Sequence, residues 1–314
     1  MASLLLWRRK ARPLTWSVVI SAPKGDDGAQ WGDTWFAADL VDALNRAGQN
    51  ARTVFRGGAT SEARESDDVV LVLRGLRRVV PRRGKAVWML WVISHPELVE
   101  ADEPAEYDAV FAASAHWRRA GEFAVPVRPL LQATNPRRFT PTAADPDTGD
   151  AVLFVGSTRG EYRAAVRYGV EAGIDLSVYG VGWEEFLPSD RIAGTFIAND
   201  ELPAAYAAAG VVLNDHWQDM ADDGFLSNRL FDAAACAARV LTDHATGIED
   251  VFGDGVRMYR DAGELAATLA APREEAFPQR AQRLALADTI AREHSFDARA
   301  ALLIRHAAEL RSHR

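Results

Sequence analysis

Short apolar runs rich in β-branched and aromatic residues alternate with amphipathic helical patterns along most of the chain. This alternation constrains the fold more than any other feature. "WSVVISAP" (16–23) reads as a strand, and "TWFAADLVDALNRAG" (34–48) reads as a helix ending at Gly48. "ARTVF" (51–55), "DDVVLVLRG" (67–75) and "KAVWMLWVISHP" (85–96) read as strands. "YDAVFAAS" (107–114) follows, then a predicted helix from about Ala115, then "VPVRPLL" (125–131). Strands that are apolar on both faces and alternate with helices predict a parallel sheet covered on both sides.

The pattern breaks once. "QATNPRRFTPTAADPDTGD" (132–150) has three prolines, many turn formers and no period, and reads as a linker. The alternation then restarts. "AVLFVGS" (151–157), "IDLSVYG" (174–180), "VVLN" (211–214) and "GVRMY" (255–259) read as strands. "RGEYRAAVRYGVEAG" (159–173), "DELPAAYAAAG" (200–210) and the front of "GFLSNRLFDAAACAARVLTD" (224–243) read as helices. From about Ala262 the chain is helical, ending in "FDARAALLIRHAAELRSHR" (296–314). The expectation is two similar α/β domains joined by a linker.

With 314 residues, 48% hydrophobic and 25% charged, each half can bury its own core. A formal charge of −8 argues against a nucleic-acid partner. It leaves room for an anionic small ligand, which a few arginines and helix ends suffice to hold. Cys236 is the single cysteine, so an intrachain disulfide or a cysteine cluster cannot form, and a cytoplasmic location fits. The apolar run Leu4–Trp7 is too short for a signal segment, and basic residues follow it. It could make a weak membrane-surface contact.

In open α/β sheets ligands sit beyond the carboxyl ends of the strands. Gly156, Ser157, Thr158 and Arg159 end one strand and are expected to open a helix whose free N–H groups face an anion. Arg159 and Arg163, one turn apart on that helix, would reach phosphate. The second half of such a grip lies at 223–232. Asp223 and Gly224 precede Ser227, Asn228 and Arg229 at a helix start, with Asp232 one turn deeper on the same face. Arginine and N–H groups would hold a diphosphate, and a carboxylate would accept the two hydroxyls of a ribose. The alternative is a capping sequence with Ser227 as N-cap.

The glycine-rich loop "APKGDDGAQWGDTW" (22–35) places Trp31, Gly32 and Asp33 at a helix start facing a cleft. It lacks the dinucleotide-binding glycine spacing. His95, just past a buried strand, could serve as a general base, as a polar clamp or as a structural hydrogen-bonding group. "LNDHWQDMADD" (213–223) collects acids around one histidine and reads as a solvated loop, so no metal site is expected. "DPD" (145–147) formally matches the Asp-x-Asp of metal-dependent sugar transferases but lacks a preceding strand.

Taken in order, "QWGDTWFA", "LVLRG", "LWVISHPELV", "YDAVFAAS", "LLQATNPRRFTP", "LFVGSTRG", "VYGVGW", "VVLNDHW" and "GFLSNRLFDAAACAARVLTD" resemble the GT-B glycosyltransferases, in particular the CgeB-type, group-1-like transferases of bacteria. The resemblance implies two Rossmann-like domains with parallel sheets facing across a cleft. Residues 1–140 would form the acceptor side and residues 141–294 would bind the nucleotide sugar, with the helix at about 295–314 crossing back to the first domain. It implies a hexosyltransferase that needs no metal or other cofactor. Such an enzyme moves a sugar from a nucleoside diphosphate donor to a small-molecule or glycan acceptor, with retention at the anomeric carbon.

The family's ribose-binding glutamate stands in an E-A-x-A-C-G segment. Here the segment is "DAAACAA", so Asp232 takes that place and Ala237 replaces the glycine. Arg229 matches an arginine near the diphosphate, and Asp223 an upstream acid at a spacing one residue longer. The resemblance also puts Tyr179 of "VYGVGW" on the donor side and His95 in the cleft. Two other functions share the architecture: a non-catalytic nucleotide-sugar-binding or surface-layer organising protein, and a sugar-nucleotide epimerase.

Overall fold

The computed structural model describes residues 12–29, 31–57, 67–82, 84–142, 151–312 and 314. The apolar–basic segment at 4–10 and the acid pair at 145–147 lie outside them. In chain order the first half contains β1 (Thr15–Val19), α1 (Asp26–Ala29), α2 (Gly32–Arg46), β2 (Asn50–Val54), β3 (Val69–Arg74), β4 (Val87–Val92), β5 (Ala109–Ala112) and β6 (Val127–Pro129). The second half contains β7 (Val152–Val155), α3 (Ala164–Glu171), β8 (Leu176–Tyr179), β9 (Ile192–Gly194), α4 (Leu202–Ala208), β10 (Val211–Asn214), α5 (Gln218–Asp222), α6 (Asn228–Ala235) and β11 (Val240–Asp243). It ends with α7 (Ile248–Phe252), β12 (Arg257–Tyr259), α8 (Ala262–Ala270), α9 (Arg273–Ala276), α10 (Arg280–Glu293) and α11 (Phe296–Ser312).

Two six-stranded parallel sheets result, in the orders β2-β1-β3-β4-β5-β6 and β12-β11-β10-β7-β8-β9. The runs that read as apolar on both faces are the central strands. Every residue of β3 and β4 is buried, and Val69–Arg74 pairs in register with Val87–Val92. In each sheet the strand order reverses once, between β1 and β3 in the first and between β7 and β10 in the second. These switch points open crevices at the carboxyl ends of the strands, the places where open α/β sheets bind ligands.

Three local expectations change. The segment after Ala115 forms only a 3₁₀ turn, Arg118–Glu122. Its apolar anchors, Trp117 and Phe123, stand about 120° out of phase on a helix and so share no stripe; their rings pack at 5.1 Å and pin the segment to the core instead. The helix expected at Arg159 starts at Ala164. Arg159 (φ 52°) and Gly160 (φ 84°) are both left-handed, which a right-handed helix cannot include. The acidic stretch after β10 contains α5, and the short edge strand β9 carried no sequence signal.

The halves are tied together in two places. The chain crosses between them side by side, with a bridge between Thr134 and Ser295. Beyond it α11 lies on the first sheet's core, where Phe296 meets Phe36 edge-on at 4.8 Å and Ala300, Leu303 and Ala307 are buried. In addition, Phe225, from the second half, is fully buried in the first half's core and packs against Trp117 at 5.6 Å. Truncating such an aromatic costs about 3–5 kcal/mol. Among the described residues no helix is long and apolar enough to cross a membrane.

Candidate active site in the interdomain cleft

A cavity of about 440 Å³ opens between the two switch points. Of the residues singled out from sequence, Gly32, Asp33, Gly156, Ser157, Arg159, Tyr179, Ser227, Asn228, Arg229 and Asp232 line it. Trp31, His95 and Asp223 do not.

The second half's wall is built around Arg229 at the start of α6. Its Nη1 donates to Asn214 Oδ1 at 2.8 Å, and Asn214 in turn donates to Thr242 Oγ1 at 2.9 Å. The guanidinium lies over the Phe154 ring at 4.8 Å. It reaches the end of β7 because residue 156 is glycine: a Cβ there would sit 2.6 Å from Arg229 Nη2. The turn after β7 is braced from behind. Trp183 Nε1 donates to the Gly156 carbonyl at 2.8 Å, and the Val181 amide donates to Ser157 Oγ at 3.2 Å. Gly180 is required because a Cβ would meet the Gly156 carbonyl oxygen at 2.2 Å. Arg159 holds its left-handed backbone beside this turn, strain of the kind found at functional sites. Burial and the Arg163 charge lower the Arg159 pKa, and Asp33 across the cavity opposes them.

One turn beyond Arg229, Asp232 accepts from Thr134 Oγ1 at 2.7 Å and from Asn228 Nδ2 at 2.9 Å. Burial pushes its carboxyl up to about 7, and the Thr134 bond works in the opposite direction. Each oxygen keeps a second lone pair for a hydroxyl donor. Ser227 occupies the N-cap position of α6, yet its hydroxyl caps nothing, so the polar front is not explained by helix capping.

Three expected roles change, and His95 makes the kind of hydrogen bond that one of its three readings expects. Arg163 is not free for phosphate: it forms a buried ion pair with Asp215 and stacks on Trp217 at 4.3 Å. Asp223 pairs with Arg118 Nε at 2.7 Å, while its carbonyl takes the Ser114 hydroxyl, so it clasps the two halves together away from the cavity. It stands at the C-terminal end of α5. Trp31 packs on the first core beneath Arg56, whose guanidinium is 5.9 Å from the ring. His95 has a left-handed backbone (φ 52°) and hydrogen-bonds Glu97 at 3.0 Å outside the lining.

Sequence reasoning missed other lining residues. Asp39 accepts from Asn135 at 2.8 Å and pairs with Arg138, a long-range contact without a local pattern. His216 is fully buried, with Nδ1 2.6 Å from Asp243 and Nε2 without a partner. The stretch Thr195–Ile197 brings Phe196, 47% exposed, to the rim; its only signal was an aromatic in a loop.

A family model described as glycosyl transferase-like matches residues 163–305. Sucrose-phosphate synthase from Thermosynechococcus elongatus superposes with a TM-score of 0.67 at 15% identity, covering 96% of this chain and 100% of that one. The fold is GT-B. AviGT4, a glycosyltransferase of avilamycin A biosynthesis, gives 0.64 at 15% identity over 96% and 99% of the two chains. Anabaena HepE, in complex with UDP-glucose, gives 0.59 at 12% identity over 96% and 100%. No curated protein sequence matches the chain.

Proposed function

We propose that this GT-B protein is a glycosyltransferase that moves a hexosyl group from a nucleoside diphosphate sugar to a hydroxyl of a small molecule or glycan. One observation carries the reading. Arg229, seated against Gly156 at the second switch point, and Asp232, one helical turn away, line a single cavity. The cation suits a diphosphate and the carboxylate suits the vicinal hydroxyls of a ribose. HepE and a T4 phage enzyme of the same fold were each solved with UDP-glucose, which supports a nucleotide sugar here. The collinear motifs further support the CgeB-type bacterial group, and the lone Cys236 supports work in the cytoplasm.

In the transfer, negative charge grows on the departing diphosphate. Arg229 and Arg159 are placed to stabilise it, and a fixed donor in a cavity shielded from water acts more strongly than in bulk. Closure of the cleft on the donor would exclude water, which limits loss of the donor to hydrolysis. Arginine takes the part that a divalent cation plays in other transferases, so turnover is expected to persist in excess EDTA. Activity that EDTA abolishes and Mn²⁺ restores would refute this.

Calorimetric titration of UDP, ADP, GDP and the bare nucleosides tests the donor site. One diphosphate is expected to bind well above its nucleoside, and at 100 times its dissociation constant to stabilise the fold by about 2.7 kcal/mol. If no nucleoside diphosphate binds, the donor reading is wrong. A binding protein would hold the donor without cleaving it, and an epimerase would convert the sugar without releasing diphosphate.

A further inference from the structure

Two arginines of the cavity wall are served by adjacent residues at the end of β10, and in opposite ways. Asp215 neutralises Arg163 in a buried ion pair. Asn214, one residue earlier, meets Arg229 with a neutral amide. Arg229 makes no ion pair among the described residues. The acids whose charge reaches it, Asp215 and Asp243, are engaged with Arg163 and with His216. Burial lowers the pKa of Arg229, so its charge is held in the empty cavity at a cost that an incoming anion would offset.

The amide of Asn214 can face only one way. Asn214 and Thr242 are register partners on the parallel strands β10 and β11, and both are fully buried. A guanidinium has donors alone, so Oδ1 must face Arg229, which donates to it at 2.8 Å. Nδ2 is thereby turned to Thr242 Oγ1 at 2.9 Å. Having accepted there, Thr242 gives its own proton to Asp243 Oδ1 at 3.1 Å. Asp243 is itself fixed by the His216 amide at 2.8 Å and stands 2.6 Å from His216 Nδ1. Every donor in the chain from Arg229 through Asn214 and Thr242 points towards the Asp243 carboxylate. The network has one direction, and it ends on the cation that lines the cavity.

Resting on the donor site proposed above, we propose that Asn214 is the positioning residue that aims Arg229 at the diphosphate, and that this position calls for an amide because a carboxylate would claim the charge it presents. The neutral oxygen orients the guanidinium and leaves its charge to the ligand. The neighbouring Asp215 shows the other outcome, an arginine held and spent on the wall.

The rival role for Asn214 is to tie β10 to β11. Calorimetric titration of UDP, ADP and GDP, each beside its bare nucleoside, separates the two roles. For whichever diphosphate the unmodified protein binds, Asn214→Ala should weaken binding roughly tenfold, the effect of one charge-assisted hydrogen bond. The matching nucleoside should bind within about threefold of normal, since it carries no charge for Arg229 to meet. In protein that already carries Arg229→Ala, the same substitution should change diphosphate binding by less than about threefold, because the two residues act through one contact. Asn214→Asp keeps the shape and an acceptor for Arg229, yet it should weaken the diphosphate more than Asn214→Ala does. Equal losses of diphosphate and nucleoside in both variants would make the residue a strand tie and overturn the proposal. So would normal diphosphate binding by Asn214→Ala, full additivity with Arg229→Ala, or an Asn214→Asp protein that binds the diphosphate as well as Asn214→Ala. If the unmodified protein binds none of the three diphosphates, the donor site falls and the role of Asn214 falls with it. A loss confined to the variants reads Asn214 alone.

Discussion

Helices α2 and α6 face the same cavity from opposite halves, and the polar residues at their N-terminal ends are held differently, although Asp39 further along α2 is fixed by Asn135 and Arg138. On α6, Arg229 and Asp232 are held by Asn214, Thr134 and Asn228 before any ligand arrives. On α2, Asp33 is held by nothing. Groups that grip a fixed fragment gain from being pre-oriented, because ordering them then costs nothing on binding. The contrast is one between a pre-oriented pair on α6 and a single carboxylate, Asp33, that makes no side-chain hydrogen bond among the described residues.

The largest expected effect tests the gripping side. Arg229→Ala removes the cation seated beside Gly156. A charge-assisted hydrogen bond is worth roughly 1.5–3 kcal/mol, so the nucleoside diphosphate that titration selects, written here as UDP, should bind about 100-fold more weakly. Uridine lacks the charge and should lose little. Equal losses for UDP and uridine would mean that Arg229 shapes the wall without meeting the diphosphate.

The next effect concerns Asp232 and runs through pH. Its folded pKa, raised to about 7, lies above the unfolded value, so the folded state binds the proton more tightly. The resulting stability is fully present below about pH 4 and is lost as pH rises through about 7. Asp232→Asn keeps the shape and removes the charge. Chemical denaturation should show the unmodified protein losing on the order of 2 kcal/mol more than Asp232→Asn between pH 5 and 8. Parallel curves would place the carboxylate in contact with water and end the claim that α6 holds it pre-oriented.

A smaller effect comes from the glycine that admits Arg229. In Gly156→Ala the new methyl would meet Arg229 Nη2 at 2.6 Å. The tip of a flexible side chain can move aside, so the fold should keep its stability while UDP binds roughly tenfold more weakly, a loss of about 1.4 kcal/mol. Combined with Arg229→Ala, the glycine change should add almost nothing, since neighbours that act through one contact are not additive. Full additivity would separate Gly156 from the arginine.

The alternation of strands and helices was legible because burial on both faces forces apolar runs such as Val87–Val92, whatever lies around them. Residue types at strand ends were legible too, which is why Gly156, Arg229, Asp232 and Asp33 could be singled out. What those residues pair with was not. Arg163 and Asp215 are 52 positions apart, and Asp39 and Arg138 are 99 apart. No local pattern records such meetings, so Arg163 read as free when it is paired. The start of α3 was misplaced for a different reason: Arg159 is left-handed although it is not glycine. A strained backbone is supported by its surroundings and leaves no mark on its own residue type.

The smallest expected effect compares how the two helices end. Both close with the same pair of hydrogen bonds around one left-handed residue. On α2 the Gly48 amide donates to Asn45 and that of Gln49 to Leu44, each at 3.0 Å, with Gly48 at φ 83°. On α6 the Ala237 amide donates to Ala234 at 2.9 Å and that of Ala238 to Ala233 at 3.1 Å, with Ala237 at φ 55°. Exchanging the residues should not give mirror-image results. Gly48 is exposed, with nothing within 4 Å of a Cβ, so Gly48→Ala adds backbone strain without packing and should cost about 1 kcal/mol. Ala237 is buried at 4% exposure. Ala237→Gly relieves about 1 kcal/mol of strain but gives up a buried methyl worth about 0.8 kcal/mol and frees the unfolded chain. Its net effect on urea denaturation should therefore be less than about 0.5 kcal/mol, by the same arithmetic. A gain of a full kcal/mol would show that the Ala237 methyl packs against nothing of value, and that α6 carries its strained end without compensation.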